Sequence, residues 1–453
     1  MKREWGDPPA LAAWNATSAS AAGGAHCRWQ YVGCDSAGRV TSLVLRGLDL
    51  RGPIPEAIGG LSRLTHLDIF DNSITGVSPT LYRCRTLQYL KMSQNNIAGS
   101  FPEAIGNLSS LKHLDISYNS ITGVFPTALY RCRSLRYLDL SWNLIGGELP
   151  DDIGHGLGAN LNTLCLAVNS LNGTIPSSLS RLQNLQYLIL GRNLLTGTIP
   201  MELGELTSLR SVWLSDNRFN AGMLPMSFKN LTNLVVLGVD NCNLTGDFPS
   251  SVVRMSQLEV LLLQVNSLTG SIHQGVWGLK KLRSLDVSYN NLTGDIVVGS
   301  FAAMSLIDID VSSNNLTGVI PEVFGHLENL TDLRLSNNRF TGTLPPELGR
   351  HSLGLCTVEA DNNELIGVIP EGLCTGGQLK LFSAMGNRLN SSIPVGLAKC
   401  ETLTELHLDN NQLSGEVPKA LWITGQLEYV SLQSNQLTGS LPSTISPVQY
   451  LPI

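Results

Sequence analysis

No run of apolar residues in this 453-residue chain is long enough to cross a bilayer, which takes about 20 in a row, so no membrane-spanning helix is expected. Charge is scarce: 15% of residues are Asp, Glu, Lys or Arg, and the net charge is −6. A chain of this balance lacks the basic surface that phosphate backbones require, which argues against nucleic acid as a partner. No linker-like block breaks the even spread of glycine and proline. The chain therefore resists the division into two or three domains that its length would otherwise suggest. Catalytic signatures are missing too. There is no H-E-x-x-H, no G-x-S-x-G and no phosphate-binding glycine loop, and the eight histidines show no ligand spacing. DIDVSSNN, from Asp308 to Asn315, lacks the glycine and the terminal glutamate of a calcium loop. Neither catalysis nor a cofactor or metal is expected.

Nine cysteines do not make a disulfide framework in a chain of this size. Nine N-x-S/T sequons begin at Asn15, Asn107, Asn172, Asn230, Asn243, Asn291, Asn315, Asn329 and Asn390. Some arise because NLT belongs to a recurring unit, but a secreted, glycosylated chain accounts for them better. The opening MKREWGDPPALAAW has no apolar signal segment. Such a segment is expected either to have been removed or to lie upstream of a late start.

What the chain has in abundance is repetition. The pattern L-x-x-L-x-L-x-x-N-x-L-x-G recurs in seventeen rungs, nearly all about 24 residues apart, from a first slot at Leu48 to a last at Asn435. Asparagine fills the slot except at Leu48 and Cys242. The x-L-x-L-x segment predicts a short strand whose leucines point to one side. Stacked rungs form a parallel sheet, and each rung relies on its neighbours to bury its leucines. The asparagine amide is placed to satisfy backbone groups stranded where the strand turns inward. A second extended segment, x-I-P, follows the glycine, and a tight helical turn such as Ser177 to Leu185 leads back to the next strand. The predicted fold is an α/β solenoid: a curved, superhelically twisted stack with strands on its inner face. Residues 1–39 are read as a partial capping region, 40–441 as the solenoid and 442–453 as a truncated tail without a cap. Trp14 and Trp29 are placed to cover the open start of the core. Cys27 and Cys34 are close enough for a staple in an oxidising compartment, the alternative being two reduced thiols. Cys84, Cys132 and Cys356 read as buried small residues, and Cys165 as a thiol on the inner face.

The cap residues Cys27, Trp29, Gly33 and Cys34, together with the L-x-G-x-I-P half-repeat, resemble the ectodomains of plant leucine-rich-repeat receptor kinases. GLCTGGQL (Gly372 to Leu379) followed by LAKCETL (Leu397 to Leu403) is similar to the HAESA-like group, and the resemblance implies that Cys374 pairs with Cys400. It further implies a cell-surface receptor that binds a short secreted peptide on its inner face and recruits a smaller co-receptor kinase. Signal segment, membrane span, C-terminal cap and kinase motifs of that plan are not in this chain.

Residues between the strand leucines face away from the core and are free to vary. Two zones result. Tyr137, Tyr187, Ile189, Trp213 and Leu262, with Tyr89 in the column before, form an apolar and aromatic stripe suited to anchoring a ligand. Cross-strand packing is the alternative use of such residues. An acidic zone holds Asp286, Asp308, Asp310, Asp332, Glu359, Asp361, Glu405 and Asp409, with Arg334 among them, and suits a basic ligand. Its alternative is a solvated face that neutralises itself. An extended peptide of about twelve residues reaches roughly 40 Å, enough to touch both zones. At Glu405-Leu406-His407 the HAESA-like group usually carries Arg-x-Arg, whose guanidinium groups would hold a peptide's terminal carboxylate. Glu405 repels a carboxylate, so a different ligand end, or none, is expected there. Three readings follow: a peptide-receptor ectodomain, a free-standing secreted recognition or hydrolase-inhibitor protein, or an inactive truncated receptor product.

Overall fold

The computed structural model describes residues 1–14, 25–423 and 426–440. The Asn15 sequon and the 442–453 tail lie outside the described residues. Two compact units divide the chain, Met1–Asn220 and Ala221–Ile453.

In the first unit, in-register parallel strands run from Val40–Val44 through His66–Asp68, Tyr89–Lys91, His113–Asp115, Tyr137–Asp139, Thr163–Cys165 and Tyr187–Ile189 to Ser211–Trp213. Val32–Cys34 adds an antiparallel lead strand against Val40–Val44. Register is set by burial. The central residues Leu67, Leu90, Leu114, Leu138, Leu164, Leu188 and Val212 are all buried, and a slip by one residue would turn this whole column to solvent. The second unit repeats the pattern from Val236–Gly238 to Tyr429–Ser431.

Each rung then makes a second, shorter extended segment. Some of these pair two by two, as in Ala98–Ser100 with Ser120–Thr122 and Thr293–Asp295 with Asn315–Thr317. Most rungs close with a 3-10 turn that starts after a proline. In Ser177–Arg181, capped by Pro176, the turn buries Leu179 and is followed by buried Leu182. Proline suits this place because its fixed φ favours the extended cap and its missing N–H has no partner to lose.

The asparagine column works as expected. The Asn193 side-chain N–H donates to the carbonyls of Leu190 and Gly191 in its own turn and of Leu166 in the rung before, while its Oδ1 accepts from Leu171 N–H. The residue before the asparagine takes a left-handed conformation in rung after rung, for example Asp71, Asn337 and Asn410. Val168 (φ 54°) and Val265 (φ 56°) do so as β-branched residues, for which this region is strained. Val265 is exposed, so little packing is at stake. Val265→Asn is expected to stabilise the second unit by about 1 kcal/mol, the scale of the left-handed penalty for such a side chain. A urea midpoint equal to or below that of the parent would refute this.

At the start of the first unit, Trp14 stacks on Trp29 at 5.7 Å, and Trp14 is buried as expected. Trp5, which the sequence reading passed over, is also buried and donates its Nε1–H to the Pro53 carbonyl. Cys27–Cys34 and Cys374–Cys400 are both bonded. Cys84 and Cys132 are buried, whereas Cys356 is only half-buried, a departure from the expected core placement.

Candidate ligand-binding face

Parallel, in-register strands bring equivalent side chains of successive rungs into line, roughly 4.8 Å apart. On the first unit this spacing stacks rings. His66, Tyr89, His113 and Tyr137 form one ladder with 4.2 Å between neighbouring centroids and nearly parallel planes. Burial pushes the His113 imidazole down to about 4, and its buried Nε2 has no hydrogen-bond partner among the described residues. Burial lowers His66 as well. The ladder is therefore neutral. Tyr89 sits between two imidazoles, and Tyr137 stacks on His113 and donates its hydroxyl to Asp139 at 3.2 Å. Cross-strand packing thus occupies the faces of these two rings and leaves their edges.

Charged residues run beside the ladder in compensated pairs. Arg46 meets the fully buried Asp68 at 2.6 Å, and Lys91 meets Asp115 at 2.6 Å while lying 5.0 Å from the Phe70 ring centre. Further along, Tyr187 is 38% exposed, and Ile189 and Trp213 are half-buried in adjacent registered positions. Among the described residues they lack the stacking that occupies Tyr89 and Tyr137. Cys165, on the same face, is buried, and its thiol is pushed up to about 12 by burial, so it is unreactive.

On the second unit, Leu262 stands half-buried between Gly238 and Asp286. The acidic residues that follow have three distinct roles. Asp286 and Asp310 each turn Oδ1 to the N–H and hydroxyl of the serine two positions on, Ser288 and Ser312. Asp115 and Asp139 do the same with Ser117 and Ser141, so Asp-x-Ser is a recurring clasp at the strand end. Burial, with Asp310 and Asp308 nearby, pushes Asp286 up to about 6. Burial also raises Asp308 and Glu359. Arg334 is shared by three carboxylates: Asp308 at 3.1 Å, Asp332 at 2.9 Å and Glu359 at 3.2 Å. The expected pairing of Arg334 is present, and it engages all three guanidinium nitrogens while leaving one further N–H on each terminal nitrogen.

Asp361 and Asp409 do not belong to a solvated acidic surface. Both are buried and accept the hydroxyls of Ser383 and Ser431. Their neighbours Glu405 and His407 remain partly exposed, with Glu405 Oε2 3.4 Å from His407 Nε2. No basic group other than His407 stands on the Glu405–His407 strand or on the strands paired with it, Leu381–Ser383 and Tyr429–Ser431.

The sequence reading missed one exposed feature. Tyr118 and Trp142 stack at 4.8 Å while staying 46% and 42% exposed. They occupy the left-handed position before the asparagine, the place where a large apolar residue would have signalled them. Among the described residues, the sequons avoid the ladder strands. Asn107 and Asn230 end 3-10 turns, and Asn172 and Asn315 lie on the second extended segments. Asn243, Asn291 and Asn390 adjoin such segments, and Asn329 follows the turn Glu322–His326. All are exposed except Asn315, which is half-exposed.

Residues 119–339 match the family described as leucine-rich repeat region, and 85–145, 329–351, 402–422 and 426–447 match further leucine-rich repeat families. No kinase domain is matched in this chain. A solved TDR receptor is 34% identical, with a TM-score of 0.83 over 87% of this chain and 69% of that one. The ectodomain of the Arabidopsis receptor kinase HAESA, solved with an IDA peptide hormone, is 29% identical, with a TM-score of 0.83 over 96% of this chain and 76% of that one. Among curated sequences, polygalacturonase inhibitor 1 of Oryza sativa subsp. japonica is 36% identical over 21% of this chain and 29% of its own length. The receptor-like protein kinase HSL1 of Arabidopsis thaliana is 37% identical over 19% of this chain. The match spans only 9% of that kinase's length. Seventeen asparagine-type rungs, a parallel strand ladder, paired second strands and this likeness to TDR and HAESA have one meaning: the chain belongs to the leucine-rich-repeat ectodomains of plant receptor kinases, a fold that is not enzymatic.

Proposed function

We propose that the chain is the extracellular recognition region of a receptor-like kinase, which binds a short secreted peptide in extended form along the open strand face. The observation that carries this reading is the split within each rung. The strand leucines are buried throughout, while Tyr187, Ile189 and Trp213 keep accessible apolar surface on a face free of sequons. Structures of HAESA with IDA and of RGFR1 with RGF2 contain peptide hormones, and HAESA is also seen with the co-receptor SERK1. By this reading the aromatic edges of Tyr89 and Tyr137 and the side chains of Tyr187, Ile189 and Trp213 contact the peptide on the first unit. Leu262, Asp286, Asp310, Arg334, Glu359, Glu405 and His407 do so on the second. A shorter leucine-rich-repeat co-receptor kinase completes the signal. The sequons carry glycans on the remaining surfaces, outside the plasma membrane.

The ligand's end differs from one held by paired arginines. Glu405 repels a free carboxylate, so candidate peptides of about twelve residues with amidated C-termini should bind at least about tenfold more tightly than the free acids, a difference of about 1.4 kcal/mol. Paired Glu405→Arg and His407→Arg substitutions should reverse that order. Titration calorimetry measures both, and a preference of the parent chain for the free acid would reject this assignment. The likeness to a polygalacturonase inhibitor supports a second reading, a secreted inhibitor of a cell-wall hydrolase. That reading predicts inhibition of polygalacturonase by the purified chain and no peptide binding.

A further inference from the structure

A cavity of about 240 Å³, open to solvent along the exposed strand Ala98–Ser100, lies in the first unit between that strand and the turn Pro79–Arg83, on the side away from the strand ladder. Its walls are apolar, with Ile97, Phe101, Ile116 and Ile121 among them, and no charged side chain lines it. The space has a cause in the sequence. From Asn72 to Asn95 the rung is 23 residues long, and its turn is capped by Ser78, so Val77 takes the place before the cap. Ile54, Phe101 and Phe125 hold that place in the neighbouring rungs, ahead of Pro55, Pro102 and Pro126. A valine there leaves unfilled what the larger side chains fill.

Tyr82 lines the same cavity and is 5% exposed, and its hydroxyl has no hydrogen-bond partner among the described residues. The Leu-Tyr-Arg-Cys segment recurs two rungs on, where Tyr130 donates to Asp152 at 2.9 Å. Asp152 stands two places after Pro150, and the matching residue two places after Pro102 is Ala104, another lining residue. The first copy of the segment therefore keeps the donor and lacks its acceptor. Burial raises the Tyr82 phenol to about 12, so it stays protonated. Its hydroxyl is therefore a donor free to bond a molecule that enters the cavity.

We propose that this cavity binds a small, uncharged apolar molecule about the size of a fused bicyclic ring, which buries its hydrocarbon surface and accepts one hydrogen bond from Tyr82. Size sets the class: a dry cavity of about 150 Å³ takes benzene, and this one is larger by roughly a second ring. The absence of charged lining residues excludes an ionised ligand. The proposal does not depend on the peptide reading.

The probes are α-tetralone, a bicyclic ketone, and tetralin, the same skeleton without the acceptor, titrated against the full chain by ligand-observed NMR. α-Tetralone should bind with a dissociation constant on the order of 100 µM, ordinary for about eleven heavy atoms. Tyr82→Phe should weaken α-tetralone about five- to tenfold and leave tetralin unchanged. Ala98→Trp, an exposed strand position at the cavity wall, should abolish binding of both with the circular dichroism spectrum unaltered. If Ala98→Trp fails to fold, Val77→Phe, which installs the residue of the neighbouring rungs, serves the same purpose. No binding to the parent chain at 2 mM, on the order of twentyfold above that constant, would overturn the proposal. So would equal loss of both probes in Tyr82→Phe, or binding that survives the filled cavity.

Discussion

Asn193→Ala is expected to destabilise the first unit by about 4 kcal/mol. The buried amide reaches three carbonyls with its two N–H groups, so one of these bonds is shared, accepts one bond at Oδ1, and joins two rungs through them. Each bond is worth about 1 kcal/mol net. Alanine also leaves the Leu171 N–H facing a site with no acceptor, and an orphaned buried group adds about 1–3 kcal/mol. The two contributions overlap, so the sum is not simply additive. Asn193→Asp keeps the acceptor but sets a buried carboxylate oxygen against the carbonyls of Leu166, Leu190 and Gly191, and at pH 7 should lose at least as much as the alanine variant. Asn184 is the control: it is exposed and makes a single bond to the Ala159 carbonyl, so its alanine variant should lose less than about 1 kcal/mol. Urea denaturation followed by circular dichroism gives all three. Equal losses at Asn184 and Asn193 would show that the asparagine column does not hold the rungs.

A second large effect concerns pH. Asp286 is raised from 3.8 to about 6 by burial first, then by Asp310 and Asp308. A carboxyl that holds its proton more tightly folded than unfolded stabilises the fold at low pH. That stability is complete below about 4 and is lost as the pH rises through about 6. At about 1.36 kcal/mol per unit the shift amounts to almost 3 kcal/mol, or about 2 kcal/mol once partial solvent access is allowed for. Asp286→Asn should therefore be about 2 kcal/mol more stable than the parent at pH 7.5, and the gap should close by pH 4. Asparagine retains an oxygen for Ser288, so the clasp survives the change. Comparing the two chains cancels groups that titrate in the opposite sense, such as Asp115. A gap that is constant between pH 4 and 7.5 would mean that Asp286 is ionised like a surface carboxylate. The same protonation removes negative charge from the second unit's face, so a basic ligand should bind it less tightly below pH 6.

The roles of particular residues separate what the sequence determined alone from what needed the tertiary structure. The strand leucines, the asparagine column and the prolines ahead of the turns were legible because each does the same work in every rung. Burial and backbone satisfaction recur with the period, and so does the signal. The Cys27–Cys34 staple was legible from proximity in the chain, and Cys374–Cys400 from resemblance. The open face was legible only as a set of columns. Whether Tyr89 is a free anchor or a ring between two imidazoles depends on His66 and His113, each more than 20 residues away in sequence and one strand away in space. Asp361 and Asp310 both read as members of one acidic zone, yet one is buried against Ser383 and the other caps Ser312. The three-way pairing of Arg334, the missing acceptor beside Tyr82 and the exposed pair Tyr118–Trp142 have the same origin. Local sequence decides which side of a strand a residue faces, and stacking decides what it meets there, because a rung's nearest neighbours in space are about 24 residues distant along the chain.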